Sequence, residues 1–192
     1  MPLDIVILGP PGAGKGTQGQ RISAELGIPH INTGDMYRAA VSARNELGTK
    51  VHPYLEAGEL VPDELTIDVV RDRLAQPDTG EGFVLDGFPR TLPQAEALDA
   101  ILAESDRELS VVLDFQLSED LAEQRLLKRA VEQGREDDTP EVIHRRMATM
   151  RIPDALVEYY RTRGILVGIH AERSIDEVFA EVQSVLQAAA AR

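Results

Sequence analysis

Residues Gly9-Pro10-Pro11-Gly12-Ala13-Gly14-Lys15-Gly16-Thr17 follow a short apolar run, Ile5-Val6-Ile7-Leu8, and precede a stretch with helical apolar spacing, Ile22 to Leu26. Strand, glycine loop and helix in that order, with the spacing G-x-x-x-x-G-K, form the signature of a phosphate-binding P-loop. Glycine lets the backbone turn through positive φ and leaves no side chain between an amide and a ligand. The loop amides then converge on phosphate at the positive end of the following helix. Lys15 adds a point charge within reach of β- and γ-phosphates. The hydroxyl arrives at Thr17, one place later than in the general motif, because Gly16 follows the lysine. A glycine-rich turn with an incidental lysine is the bland alternative. Glycines, lysine and threonine at fixed offsets between a strand and a helix argue against it.

Outward from this loop, buried strands alternate with helices. Apolar runs predict strands at 4–8, 82–86, 111–115 and 165–169, with a short one at 30–32. Helical spacing predicts helices over 14–26, from the Thr33-Gly34-Asp35 cap to about Arg44, and over 63–74. Residues 45–62, interrupted by Gly48, Pro53, Gly58 and Pro62, read as a small appended unit. Thr91 and Gln94 form a T-x-x-Q capping box for a helix to about Glu104, and Ser118 caps one to about Val131. Thr139-Pro140 starts a helix towards Arg163, which Pro153 kinks or breaks. Ser174 and Glu177 make a capping box for the last helix. The expected fold is α/β: a P-loop NTPase-type parallel sheet covered by helices on both faces. Ligands of such sheets sit beyond the C-terminal strand ends. The glycine loop, Asp86 to Arg90 and the helix start after Asn32 all fall there.

The 192 residues suit a single domain with small insertions. Hydrophobic content of 43% and charged content of 28% are ordinary for a globular chain. A net charge of −13 disfavours a nucleic-acid partner, since phosphate backbones need a basic face. Against that background the basic residues are informative. One of only three lysines lies in the glycine loop, and arginines gather between Arg125 and Arg151. An anionic chain that concentrates arginine has something anionic to hold. The chain has no cysteine, which removes disulfides, thiolate zinc sites and cysteine nucleophiles. No stretch approaches the ~20 apolar residues of a membrane span, and the N-terminus does not read as a signal peptide. We therefore expect a cytoplasmic protein without membrane contact. The four histidines, at 30, 52, 144 and 170, form no metal constellation and read as structural or exposed.

Three further stretches stand beside the P-loop: Thr33-Gly34-Asp35-Met36-Tyr37-Arg38, Leu85-Asp86-Gly87-Phe88-Pro89-Arg90, and the arginines from Arg125 to Arg146. Together they make the chain resemble the adenylate kinases, nucleoside monophosphate kinases, along essentially its whole length. The resemblance implies the reaction ATP + AMP ⇌ 2 ADP with Mg2+, and two mobile parts on a P-loop core. These are a monophosphate-binding subdomain, here residues 32–61, and a lid, here a short loop over 128–138. It implies that Gly12, Ala13, Gly14, Lys15, Gly16 and Thr17 surround the ATP phosphates, with Lys15 stabilising the transferred group. Arg125 and Arg129 would reach those phosphates too, and Arg173 would lie near the ATP base. On the AMP side it implies Thr33 at the base and Arg38 at the phosphate. Glu59, Leu60 and Val61 would edge the adenine pocket. Gly87, Phe88, Pro89 and Arg90 would line the AMP strip, with Arg90 on the phosphate and Gln94 on the base. Arg135 and Arg146 would close over the reacting phosphates beside Asp137-Asp138. Asp86 would organise the magnesium waters, with Thr17 as a second candidate for the metal.

The residue types suit this chemistry. Phosphoryl transfer needs two anionic substrates aligned, charge neutralised and water excluded, and little covalent help. Each assignment has a plainer rival. Arg38, Arg90, Arg135 and Arg146 read alone as surface charges, Asp86 as a turn starter, and Gln94 as the partner of Thr91 in a helix cap. Arg125 and Arg129, spaced i, i+4, suit a site or a solvated stripe equally.

The chain departs from the family pattern in places. The lid has no room for a longer hairpin and no cysteines for zinc. Tyr37 stands where leucine is usual, and Asn32 where serine is common. The stretch Thr149 to Leu156 is one residue short, which bears on the placement of Arg146. Relatives acting on UMP or CMP typically carry alanine where Thr33 stands, so Thr33 and Gln94 favour AMP. A nucleotide sensor without turnover is the reading from another class, and it predicts eroded arginines. A monomer is the default expectation for the oligomeric state.

Overall fold

The computed structural model describes residues 2–133 and 139–191. Arg135, Asp137 and Asp138 lie outside the described residues. Five strands, β1 (Leu3–Leu8), β2 (His30–Asn32), β3 (Gly82–Asp86), β4 (Val111–Gln116) and β5 (Leu166–His170), form one sheet in the order β2-β3-β1-β4-β5. Every neighbouring pair is parallel, with Ile5 opposite both Val84 and Val111. The α/β reading is borne out.

Because β1 is central it is buried on both faces. Ile5 and Ile7 join one apolar layer with Leu113, Phe115 and residues of α1 (Lys15–Leu26) and α9 (Ile175–Ala190). Val6 and Leu8 join the opposite layer with Leu85, Leu98, Leu156 and Tyr160. That second layer is supplied by α4 (Asp63–Leu74), α5 (Leu92–Ala103) and α8 (Asp154–Thr162). Period-two alternation on a doubly covered strand thus builds two cores.

Between β2 and α4, α2 (Thr33–Ser42) and α3 (Glu46–Ala57) pack on each other. A side chain at Gly48 would meet the Ala40 carbonyl oxygen at 2.2 Å, so glycine permits this approach. Tyr37, Val51 and Val61 bury a third, small apolar cluster there. The remaining helices are α6 (Glu119–Gln133) and α7 (Pro140–Thr149).

Local differences from the sequence reading have plain causes. Helix α2 is capped by Asn32, whose side chain accepts from Asp35 N–H, so Thr33 is already helical. It ends at Ser42, and Arg44 turns back with φ 50°. The helix expected from Thr139 towards Arg163 breaks, one of the two outcomes expected of Pro153: α7 ends at Thr149 and Pro153 stands at the N-cap of α8. Residues 128–133, expected in a lid loop, belong to α6, and the rest of that lid is outside the described residues. Among the described residues no helix is long and apolar enough to cross a membrane.

Candidate active site

The strand ends converge on one cavity of about 680 Å³. Its floor is the glycine loop between β1 and α1. Gly12 adopts φ 84°, and a side chain there would strike the Ala122 carbonyl of α6 at 2.6 Å. The loop therefore lies flat beneath α6 only with glycine. Lys15 opens α1 and is buried. Its Nζ donates to the carbonyls of Gly9 at 2.9 Å and Pro10 at 2.7 Å. Burial, then the Arg90 and Arg129 charges, push its ammonium down to about 7, against the pull of Asp86.

Asp86 ends β3 and is buried as well. Burial alone would raise its carboxyl. The neighbouring His30 ring and the charges of Lys15 and Arg90 outweigh that and hold it below the usual carboxylate range. Asn32 Nδ2 donates to Asp86 Oδ2 at 2.6 Å, and His30 Nε2 lies 3.6 Å from the same oxygen. The sequence reading takes His30 as structural or exposed. It stands instead at the end of β2, which pairs with β3 and so brings the ring to Asp86.

The β3 end continues into Arg90. Its Nε donates to Gly87 O at 3.2 Å, and its Nη1 lies 3.5 Å from Gly9 O. The Phe88–Pro89 peptide is cis. Phe88 and Pro89 do not line the cavity; Phe88 is core beside Leu98 and Tyr160. Gln94 is buried at the start of α5 and faces the cavity. Its N–H donates to Thr91 Oγ1 at 3.3 Å, as a cap requires. Its side chain does not complete the expected capping box. Its Oε1 accepts from Arg90 N–H at 2.7 Å, and its Nε2 donates to Asp63 Oδ1 at 2.7 Å.

The α2–α3 unit supplies another wall through Thr33, Arg38, Glu59, Leu60 and Val61. Arg38 pairs with Asp35 at 2.6 Å. Tyr37 OH donates to Thr66 Oγ1 at 2.9 Å, and Thr66 Oγ1 lies 3.4 Å from Val61 O. The cavity is also lined by Arg125 and Arg129 of α6, Arg146 of α7 and Arg173 before α9. Arg146 is buried there despite the shortened stretch that follows it. Arg125 Nη1 donates to Ala171 O at 2.8 Å, which ties α6 to the loop after β5. Arg173 pairs with Glu181. Gly12 to Thr17, Asp86, Gly87 and Arg90 complete the predicted residues at this cavity. Asp63, Thr66 and His30 are contributors that the sequence reading missed, and no local pattern marks them.

A family model described as adenylate kinase matches residues 7–165. The chain belongs to the adenylate kinase family. It is 49% identical over 183 residues to an adenylate kinase of Mycolicibacterium smegmatis, which covers 95% of this chain and 98% of that one. It is 46% identical over 187 residues to an adenylate kinase of Thermobifida fusca, with 97% and 99% covered. An adenylate kinase of Lysinibacillus sphaericus is 40% identical over 213 aligned positions, with 96% and 98% covered. That alignment is longer than the 192 residues here, so this relative carries residues that the present chain lacks. The family's reaction is reversible phosphoryl transfer between ATP and AMP, giving two ADP.

Proposed function

We propose that this chain carries out that transfer in the cavity above the glycine loop, with the donor over Gly12 to Thr17 and the acceptor between Arg90 and the α2–α3 unit. One observation carries the assignment. Lys15, Arg90, Arg129 and Arg146, from four separate segments, face one cavity with, among the described residues, a single buried carboxylate, Asp86. In an acidic protein such convergence costs stability, and anionic phosphates are what repay it.

In this reading Lys15 and the loop amides hold the β- and γ-phosphates, and Arg125 and Arg129 add charge from α6. Arg173 lies towards the donor base. Arg38 and Arg90 clamp the acceptor phosphate, and Gln94, Thr33 and residues 59–61 receive its base. Arg146, with Arg135, draws the two phosphates together. The acceptor phosphate oxygen is already a nucleophile, so alignment and charge neutralisation supply the catalysis. Residues 32–61 act as the monophosphate-binding unit and 128–138 as a short lid. Their closure excludes the water that would otherwise take the phosphoryl group.

Magnesium enters with ATP and neutralises phosphate charge. The residues fit it. Mg2+ at nucleotide sites takes one or two carboxylates plus substrate phosphates and water. Asp86 is held ionised at the cavity floor, with the Thr17 hydroxyl in the same cavity. Among the described residues no group of three or more His, Cys, Asp or Glu could hold a metal by itself, which suits an ion carried by substrate. We add a cytoplasmic location and a monomeric state to the proposal; sedimentation of the purified protein checks the second.

The test is ADP formation from ATP and Mg2+ with AMP, GMP, UMP and CMP in turn, beside Arg90→Ala. Turnover with AMP alone, lost in the variant, is the expected result. ATP binding without transfer to any monophosphate would overturn the proposal.

A further inference from the structure

The Gln94 side-chain amide has its two ends committed to different partners. Its Oε1 accepts from the Arg90 backbone N–H, and its Nε2 donates to Asp63 Oδ1, each at 2.7 Å. A backbone N–H can only donate and a carboxylate can only accept, so these partners fix which end is oxygen and which is nitrogen. Turning the amide over would set its NH2 against the Arg90 N–H and its oxygen against the Asp63 carboxylate. Both contacts would be repulsive in a buried place. Asp63 is itself held, because its Oδ2 accepts from Thr91 Oγ1 at 2.9 Å.

This arrangement leaves Gln94 one free lone pair on Oε1 and one free hydrogen on Nε2. That pair matches the Watson–Crick edge of adenine, which offers an N6 amino donor and an N1 acceptor. It mismatches hypoxanthine and guanine, whose O6 accepts and whose N1–H donates. We propose that Asp63 is the positioning residue that sets base selectivity, by locking Gln94 in the orientation that accepts a 6-aminopurine and rejects a 6-oxopurine. The inference rests on the reading above that Gln94 receives the acceptor base. A freely turning glutamine would serve both purines, as amides do when nothing fixes them; Asp63, together with the Arg90 N–H, removes that freedom. The residue lies at the first position of α4, 31 residues from Gln94 in sequence, and does not itself line the cavity.

The experiment compares kcat/KM for AMP and IMP, with Mg2+ and ATP, in the wild type and in Asp63→Ala, Asp63→Asn, Thr91→Ala and Gln94→Ala. IMP differs from AMP at the 6-position and its N1 proton alone. Asp63→Ala leaves the Arg90 N–H as the one remaining tie on the amide, and the AMP:IMP ratio should fall by at least about tenfold, as expected for one bidentate base contact. The KM for ATP should stay within about twofold, since Asp63 does not line the cavity above the glycine loop. Asp63→Asn keeps an acceptor for Gln94 and should restore most of the ratio. Thr91→Ala removes the other bond of Asp63 and the α5 cap while sparing the Gln94 contact. It should cost stability but keep the ratio. An unchanged ratio in Asp63→Ala, with the ratio lost in Gln94→Ala, would overturn the lock and leave the Gln94 reading standing. An unchanged ratio in Gln94→Ala would overturn both. Parallel loss of AMP and IMP turnover in Asp63→Ala, with no rescue by Asp63→Asn, would reduce Asp63 to a structural tie and overturn the inference.

Discussion

Tyr37 OH donates to Thr66 Oγ1 at 2.9 Å inside the small cluster that joins α2 to α4. Thr66 in turn approaches Val61 O, so two hydroxyls span the wall on which residues 59–61 sit. The two ends of this relay are unequal. Tyr37→Phe takes away a donor but leaves Thr66 able to bond Val61, and should cost about 1 kcal/mol. Thr66→Val strands a buried phenol without an acceptor and should cost about 1–3 kcal/mol. Both should raise the KM for AMP more than that for ATP. Urea unfolding and steady-state kinetics check this; equal costs for the two variants would contradict the relay.

Gly19 lies within α1, where alanine would normally stabilise by about 1 kcal/mol. Here a side chain would reach 2.4 Å from His30 Nε2, and that ring borders Asp86. Gly19→Ala should therefore lower the thermal midpoint and reduce kcat together. A stabilised, fully active variant would show that the ring has room to move.

Burial and the charges of Arg90 and Arg129 weigh against the Lys15 ammonium, which phosphate anions would stabilise. Lys15→Met should cut turnover at least about a hundredfold, as loss of a preorganised charge at developing phosphate charge does. The folded protein without nucleotide should be no less stable, because function and stability compete at such a position. Calorimetry beside the kinetic assay checks this. A fall in midpoint of several degrees would assign Lys15 a structural role through Gly9 and Pro10.

On the far side of the site, Asp4 of β1 accepts Arg107 Nε at 2.9 Å and is buried. Burial raises its carboxyl above the ordinary 3.8, and the Arg107 hydrogen bond and charge offset only part of that. The folded state then holds a proton that the unfolded chain has released. This contribution is fully present below about pH 4 and is lost as pH rises through the raised value. The stability difference between wild type and Asp4→Asn should therefore shrink as pH climbs from about 4. Urea titrations across that range check the sign, and a difference that grows with pH would contradict it.

The sequence by itself determined whatever depends on neighbours along the chain. The spacing of Gly9, Gly14 and Lys15 set the phosphate loop, and β1 showed its two-sided burial as an unbroken apolar run. Ser174 with Glu177 made the capping box of α9, and Pro153 divided α7 from α8. Those outcomes follow from backbone geometry and local hydrogen bonding, which a few consecutive residues decide. The partner of Gln94 was a different matter. Thr91 was the local choice, and packing of α4 against α5 gave the side chain to Asp63 instead. His30 read as unremarkable until the pairing of β2 with β3 set it beside Asp86. Tyr37 looked like a substitution until α4 brought Thr66 to its hydroxyl. Only the tertiary structure decided these, because a buried polar group takes whichever partner the packing brings within about 3 Å, at any distance along the chain.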